Sequence, residues 1–553
     1  MIYPKIPLAQ NIIEIFKAKG LTEIVISPGS RNAPLIIGFV NNPFFNCYSI
    51  ADERCAAFFA LGLAQQLRKP VAVVCTSGSA LLNYYPAFAE AFYSQIPLIV
   101  LSADRPKDKI DIGDGQTIRQ ENVFANHSLY NANLSEFVSS NNDLKIIEAI
   151  TCAVDQKGPV HINAPFEEPL YETVETLSTY IDTTNFDVKR EVNFVENLID
   201  FASIWNASPR KMILVGVNEP HSITQEVLEK MASDSSIVVL TEVTSNLHHP
   251  SFFTSIDTLI TPFTNEDFEN FRPEIVVTFG GMVVSKRIKA FLRKYQPKHH
   301  WHIDTLRAYD TYGALTKHFE TNTRLFFDTF LPLTLSVESD YYQKWNKLNV
   351  FRQMKHKAYL SKIPFSDFQV FELILESLPS NIQLQISNSS AIRYAQLFNL
   401  DTSIEVFCNR GTSGIDGSTS TAIGAASASG KPTLFITGDI GFLYDSNALW
   451  NKYIPNNFKI ILINNGGGGI FRILPGHQET QVFNEFFETS HSLSVSHLAK
   501  MHGLEYYAAN DKNTLLKGLT DIFNQNEKPS ILEIFTPTEV NDIVLLNYFK
   551  ELL

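Results

Sequence analysis

Residues 438–471 open with Gly438-Asp439-Ile440-Gly441 and continue as a helix-like run to Tyr453. They then read Lys459-Ile460-Ile461-Leu462-Ile463 and close with Asn464-Asn465-Gly466-Gly467-Gly468-Gly469-Ile470-Phe471. The apolar runs 434–437 and 460–463 have the pattern of buried parallel strands. Each ends in glycine and polar residues, and in an open α/β sheet ligands collect beyond the carboxyl ends of strands. Asp439 and Asn465 are therefore expected to face one crevice. Their hard oxygens, with backbone carbonyls and amides freed by the glycines, suit a Mg²⁺ ion that also holds a diphosphate. An ordinary βαβ unit with a glycine turn is the plainer reading, and the matched pair of strand ends argues against it.

Around this stretch lies a chain of 553 residues, long enough for about three domains. Hydrophobic residues make up 44% and charged residues 19%, a balance that excludes disorder. The 41 phenylalanines are expected to fill cores. A net charge of -13 argues against nucleic-acid binding and requires that any anionic substrate meet a local basic pocket. Five scattered cysteines, none in a Cys-x-x-Cys pair, give neither a disulfide framework nor a zinc site. With no signal sequence or membrane-length apolar run, no membrane insertion is expected and the cytoplasm is the default location.

The first third alternates strands and helices: strands at 23–27, 71–75, 98–102 and 160–163, helices at 33–40, 56–67 and 80–93. This predicts a parallel doubly wound sheet. Polar clusters follow the strands: Ser27-Pro28-Gly29-Ser30-Arg31-Asn32, Asp52-Glu53-Arg54, Thr76-Ser77-Gly78-Ser79 and Asp104-Arg105-Pro106. Glu53, ahead of an apolar helix, is expected to be partly buried, where a carboxylate needs a partner. Strands at 212–216, 237–241, 275–279 and 300–304 predict a second α/β domain, and the absence of Gly-x-Gly-x-x-Gly gives it no dinucleotide fingerprint. After a helical connector, strands at 382–386 and 404–408 and a small-residue helix at 418–429 belong to a third. The boundaries drawn are 1–183 for the N-terminal domain, 184–335 for the central domain, 336–363 for the connector and 364–553 for the C-terminal domain. The fold class is α/β, three doubly wound parallel-sheet domains.

Gly-Asp, a gap of a few tens of residues and Asn-Asn resemble the thiamine diphosphate motif. The resemblance implies Mg²⁺, for which Mn²⁺ can substitute, bound by the side chains of Asp439 and Asn465 and the carbonyl of Gly467. The motif's third position is often glycine and is Ile440 here; a bulky aliphatic occurs in one branch. The strings SPGSRNAPL (27–35), DER (52–54), TSGSALLNYYPAFAEA (76–91), SADRP (102–106), GQTIRQ (115–120) and NRGTSGIDG (409–417) narrow it. Together they resemble the 2-succinyl-5-enolpyruvyl-6-hydroxy-3-cyclohexene-1-carboxylate synthases of menaquinone biosynthesis, most strongly in the first and last thirds.

That resemblance implies a reaction. 2-Oxoglutarate is decarboxylated on thiamine diphosphate, and the resulting succinyl carbanion equivalent adds in a conjugate 1,4 sense to isochorismate, giving the named product and CO₂. It implies Glu53 as the catalytic residue, assisting loss of the cofactor's C2 proton. Ile415 would hold the cofactor bent, and the Gly414 carbonyl would accept from its amino group. Ser389, Gly438 and Ile440 would lie beside the cofactor, and Ile470, Phe471 and Leu474 would form an apolar wall. Ser30, Arg31, Arg105, Gln116, Lys286, Arg287, Arg393 and Arg410 would bind substrate, with Ser389 at the same pocket; arginine suits bidentate carboxylate recognition. His477 reads as surface. Glu53 and Asp439 would meet across a subunit interface, which implies a homodimer or a dimer of dimers. Two alternatives remain open at this level: an acetolactate-synthase-like carboligase, with small apolar substrates and FAD in the middle domain, and a catalytically silent regulator. The arginines weigh against the first, and retention of Glu53 and every metal ligand against the second.

Overall fold

The computed structural model describes residues 1–179, 197–473 and 480–553. Leu474 and His477 lie outside these residues, as does most of the linker expected from residue 184.

Three parallel sheets carry the chain. The first runs in the order Asn46–Ser49, Glu23–Ile26, Val71–Cys75, Leu98–Asp104, Val160–Pro165, Asn131–Asn133. The third runs Glu405–Phe407, Gln383–Ile386, Thr433–Gly438, Phe458–Asn464, Ser530–Phe535, Glu505–Ala509. Counting strands in chain order within each, both sheets read 2-1-3-4-6-5, so the two ends of the chain are topological copies. The middle sheet, Ile237–Leu240, Lys211–Val215, Ile275–Phe279, His299–Ile303, Leu315–Phe319, reads 2-1-3-4-5. In each the order reverses beside the first strand, which opens a crevice at the carboxyl edge. Among the described residues no helix is long and apolar enough to cross a membrane.

The first and third domains are joined by helices Glu53–Leu67 and Ser418–Ser429. Small residues let their backbones nearly touch. A Cβ on Gly62 would sit 2.1 Å from the Thr421 carbonyl oxygen, and one on Gly424 would sit 2.1 Å from that of Phe59. The small residues of 418–429 thus match the close approach of the facing helix. Buried Glu90 adds a second join: it accepts from the Gly411 N–H (2.7 Å), the Thr412 N–H (2.6 Å) and the Thr412 hydroxyl (2.7 Å). The middle domain is tied to the first through Arg307, which donates to the Phe92 and Tyr93 carbonyls at 2.7 and 2.9 Å. Its tie to the third is Asn246, whose amide pairs with both backbone groups of Val406 at 2.8 and 2.9 Å. The connector becomes helix Tyr341–Leu360. It buries Tyr341 and Trp345 in the middle core, and its Tyr359 donates to Val544 at 2.7 Å.

Two local readings are corrected. The helix expected at 80–93 is two, Ser79–Asn83 and Tyr85–Ser94, separated where the Tyr84 hydroxyl reaches Ser27 Oγ and the Val74 carbonyl, each at 3.0 Å. The run after Gly441 is a short helix, Asp439–Tyr444, followed by a single 3₁₀ segment, Ser446–Leu449. It stops because buried Asp445 turns back to accept from the Ser420 N–H (2.8 Å).

Gly62→Ala tests the helix join. In a free helix the change would stabilise by roughly 0.5–1 kcal/mol. Against the Thr421 carbonyl it should instead destabilise by about 1–3 kcal/mol, seen as a lower urea midpoint. A midpoint at or above wild type would refute the close approach.

Candidate active site

Strands Thr433–Gly438 and Phe458–Asn464 are adjacent and in register, Gly438 opposite Ile463. Their ends bring Asp439 and the glycine loop together. Asp439 is buried; its Oδ1 accepts from the Ile440 N–H (2.7 Å), and its Oδ2 accepts from the N–H groups of Gly466 (2.9 Å) and Gly467 (3.0 Å). Gly466 (φ 78°) and Gly467 (φ 153°) occupy backbone that favours glycine, and a Cβ on Gly467 would lie 2.7 Å from the Glu488 carbonyl oxygen. Gly438 and Ile440 flank Asp439, both half-buried.

Asn465 is oriented from behind. Its Nδ2 donates to buried Asp367 (2.9 Å), which also accepts from the Thr536 hydroxyl (2.6 Å). With the amide nitrogen so committed, the side-chain oxygen is the atom left for the crevice. Burial raises the carboxyls of both Asp439 and Asp367; for Asp439 the Ile440 and Gly467 amides and His491 oppose the shift, and proximity to Asp367 adds to it. Two crowded, buried carboxyls, an oriented amide oxygen and a carbonyl-rich turn form a site that a divalent cation would relieve electrostatically. The residues present therefore fit Mg²⁺. His491 Nε2 stands 3.4 Å from Asp439 Oδ2, while its Nδ1 accepts from the Leu493 N–H (3.1 Å).

The same crevice collects the third domain's other candidates. Ser389 lies after the first strand of that sheet with φ 70°. Its neighbour Asn388 donates to the Gly414 carbonyl (2.7 Å) and the Asn409 carbonyl (2.6 Å), and accepts from Arg410 (2.7 Å). Half-buried Ile415 lies beside helix Asp439–Tyr444; a Cβ on Gly441 would stand 3.9 Å from its Cβ. Ile470 and Phe471 are half-buried on segment Gly469–Ile473. Ile470 shares a cavity of about 620 Å³ with Arg393 and, from the middle domain, Lys286 and Arg287. Lys286 and Arg287 are exposed, and Arg287 lies over the Phe549 ring. Arg393 is half-buried with no hydrogen-bond or ion-pair partner among the described residues. Burial and nearby Arg410 lower its pKa, with Asp257 opposing.

The first domain's candidates gather at the carboxyl edge of its own sheet. Glu53 is half-buried at the start of its helix, and its carboxylate has no hydrogen-bond partner among the described residues; burial raises the pKa values of nearby Cys75 and Tyr84, and Glu53 adds to both shifts. Ser30 and Gln116 are exposed. Arg31 is buried, donating to the Phe166 carbonyl (3.0 Å) and to Glu168 (3.1 Å). Arg105 pairs with Asp114 at 3.4 Å. A buried network supports them: Asp104 accepts from Asn163 (2.7 Å), Asn163 from Gln120 (2.9 Å), and Gln120 from the Gly78 N–H (2.8 Å). Among the described residues no hydrogen bond or ion pair joins this group to the metal loop.

Sequence reasoning singled out neither Asn388, Asp367, His491 nor Glu90. Asn388 carried a signal, its place in the Ser-Asn-Ser-Ser strand end; the others act through partners distant in sequence.

Residues 6–129 match the family described as "Thiamine pyrophosphate enzyme, N-terminal TPP binding domain", and residues 200–386 match "Middle domain of thiamine pyrophosphate". The fold is similar to that of the benzoylformate decarboxylase of Polynucleobacter necessarius, with a TM-score of 0.72 at 15% identity over 97% of this chain and 99% of that one. Fold and site together are those of a thiamine diphosphate-dependent enzyme. Relatives named 2-succinyl-5-enolpyruvyl-6-hydroxy-3-cyclohexene-1-carboxylate synthase are 69% identical in Flavobacterium johnsoniae and 67% in Flavobacterium psychrophilum, each over 100% of both chains. One from Christiangramia forsetii is 52% identical over 100% of this chain and 99% of its own. The chain belongs to the 2-succinyl-5-enolpyruvyl-6-hydroxy-3-cyclohexene-1-carboxylate synthase family.

Asp367→Ala frees Asn465 to rotate. Loss of an orienting partner behind a ligand typically costs 10–100-fold in metal affinity. The Mg²⁺ concentration needed for half-maximal thiamine diphosphate binding, followed by calorimetry, should rise by about that factor; an unchanged requirement would remove Asp367 from the site.

Proposed function

We propose that the chain condenses 2-oxoglutarate with isochorismate, releasing CO₂ and forming 2-succinyl-5-enolpyruvyl-6-hydroxy-3-cyclohexene-1-carboxylate, in the menaquinone pathway and in the cytoplasm. The observation that carries this reading is Arg393, which has no hydrogen-bond or ion-pair partner among the described residues and lines the same cavity as Ile470, Lys286 and Arg287. A small apolar 2-oxo acid brings a single carboxylate, whereas 2-oxoglutarate and isochorismate carry two each, which suits a cluster of cations. An arginine with no such partner among the described residues is available for bidentate pairing.

When bound, thiamine diphosphate supplies the carbon nucleophile and electron sink that decarboxylation of a 2-oxo acid requires. Asp439, Asn465 and the Gly467 carbonyl would hold the metal and through it the diphosphate. Each would offer an oxygen, Asp439 in its deprotonated form. Gly438, Ile440 and Ser389 would border the diphosphate end, while Ile415 and the Gly414 carbonyl would shape the ring end. Ile470 and Phe471, with Leu474 by motif, exclude water from the reacting carbon. Arg393, Arg410, Lys286 and Arg287 take substrate carboxylates from the side of the third and middle domains. Ser30, Arg31, Arg105 and Gln116 act from the first domain; Arg31 is pre-set by Phe166 and Glu168.

Glu53 would assist loss of the cofactor's C2 proton from beside the pyrimidine ring. It is half-buried and has no hydrogen-bond partner among the described residues, as a group awaiting a ligand partner would be. General acid–base assistance is worth roughly 10²–10⁴-fold. Glu53→Gln should slow exchange of the bound cofactor's C2 hydrogen for deuterium by about that order, at near-normal cofactor occupancy. Wild-type exchange, read by NMR after acid quench, would sink the role.

The groups of the first and third domains carry halves of one site, and in this reading the halves come from two subunits. The assembly is then a homodimer or a dimer of dimers, with the boundaries 183, 335 and 363 separating the halves. Mixing and reassociating Glu53→Gln and Asp439→Ala subunits, each nearly inactive, tests it. Hybrid dimers should regain one intact site, giving about a quarter of wild-type activity when half the molecules are hybrids. No recovery in a sample shown by mass to contain hybrids would place both halves in one chain.

A further inference from the structure

The wall of the cavity that holds Lys286, Arg287 and Arg393 also contains four carboxylates, Asp367, Asp542 and, on the middle domain's side, buried Glu242 and half-buried Asp257. Lys286 and Arg287 begin helix Lys286–Lys294. Positive charge at a helix N-terminus opposes the macrodipole, so the helix is built against its own stability there. Glu242 sits where it offsets this. Its Oε2 accepts from the Val284 N–H and its Oε1 from the Ser285 N–H, both at 2.7 Å, donors just ahead of the helix that the helix itself leaves unpaired. Ser285 then caps the Ile288 N–H (3.1 Å), its hydroxyl held in turn by Asp257.

Glu242 is itself anchored to the opposite side of the cavity. Its N–H donates to Ser245 Oγ (2.9 Å), and the next residue, Val243, donates to the side chain of Gln396 (3.1 Å). Gln396 ends the helix Ser390–Ala395, which carries Arg393. Three residues on, Asn246 pairs with Val406 of the third sheet. The turn 242–246 therefore spans from the cations of the middle domain to the arginine of the third. Burial pushes the Glu242 carboxyl up to about 7, the Val284 and Ser285 donors opposing. An apolar residue would avoid that penalty.

We infer that Glu242 is a positioning residue for substrate recognition: it holds the start of helix Lys286–Lys294 so that Lys286 and Arg287 face Arg393 across the cavity. This rests on the reading of that cavity as the substrate-carboxylate site. Both Glu242 oxygens are spent on backbone N–H groups, so the cations stay unpaired by it and free for a ligand.

The test uses full-length protein with thiamine diphosphate and Mg²⁺, and steady-state kinetics in each substrate. Glu242→Gln keeps one acceptor and loses the charge. The KM for an anionic substrate should rise about tenfold, with kcat within about twofold, the pattern of lost binding that ground and transition states share. The melting shift on adding cofactor and metal should stay at its wild-type size. Lys286→Ala/Arg287→Ala should raise the same KM, and adding Glu242→Gln to it should change that KM less than about twofold, because residues acting through one another are not additive. A purely structural role would instead multiply through in the triple variant, or lower kcat and the melting shift together, and either result overturns the inference. Wild-type KM values in Lys286→Ala/Arg287→Ala would refute the cavity assignment itself. A raised KM there with wild-type Glu242→Gln would overturn the Glu242 role alone. Should Glu242→Gln fail to fold, Ser285→Ala breaks the same support at the helix cap, and a wild-type KM in it is equally fatal.

Discussion

Everything in this structure hangs on the contact between helices Glu53–Leu67 and Ser418–Ser429. Where Gly62 and Gly424 remove the side chains, the backbones close to a separation that no other residue permits. The join fixes the first domain to the third within one chain. It also sets Glu53 at the head of one helix, and the loop bearing Arg410, Gly414 and Ile415 just before the other. Glu90 repeats the logic at the next level: one buried carboxylate of the first domain saturates the Gly411 and Thr412 amides of that loop. The loop's conformation is thus dictated from outside its own domain.

The repeated strand order 2-1-3-4-6-5 gives this join its consequence. Two domains of one topology each open a crevice at the carboxyl edge. One crevice collects Glu53, a carboxylate without a hydrogen-bond partner among the described residues; the other collects the candidate metal loop with an oriented amide, Asn465. A cofactor with a ring at one end and a diphosphate at the other needs both, and a closed pair of subunits can supply both with a single kind of interface.

Much of this was legible in the sequence, and the exceptions share causes. Interior strands such as Val71–Cys75 and Ile275–Phe279 are continuous apolar runs and read directly. Edge strands Asn46–Ser49, Asn131–Asn133 and Glu505–Ala509 lie against only one neighbour and lack such a run. Ser530–Phe535 is interior and was still missed, because Glu533 interrupts it. That carboxylate is buried and accepts from Asn464 (2.8 Å), Ser494 (2.8 Å) and Tyr506 (2.7 Å), partners no local pattern reveals. The site divides the same way. Asp439 and Asn465 sit in a recognisable motif, whereas Asp367 and Glu242 act through residues 98 and more than 40 positions away.

The arginines show why a residue type in a motif is not yet a function. Arg31, Arg105, Arg393 and Arg410 enter on equal terms from their strings. In the structure Arg31 is committed to Phe166 and Glu168, Arg105 to Asp114 and Arg410 to Asn388, while Arg393 has no such partner among the described residues. A guanidinium half out of water without a counter-ion is unfavourable in proportion to its desolvation, and here Arg410 adds repulsion. In a chain of net charge -13 acidic partners are abundant, yet among the described residues none pairs with Arg393, as its proposed role toward substrate would require. An incoming carboxylate gains more from an uncommitted arginine than from one that must first break an ion pair. Of the four, Arg31, Arg105 and Arg410 would have to share or exchange an existing partner to bind a carboxylate, whereas Arg393, among the described residues, would not.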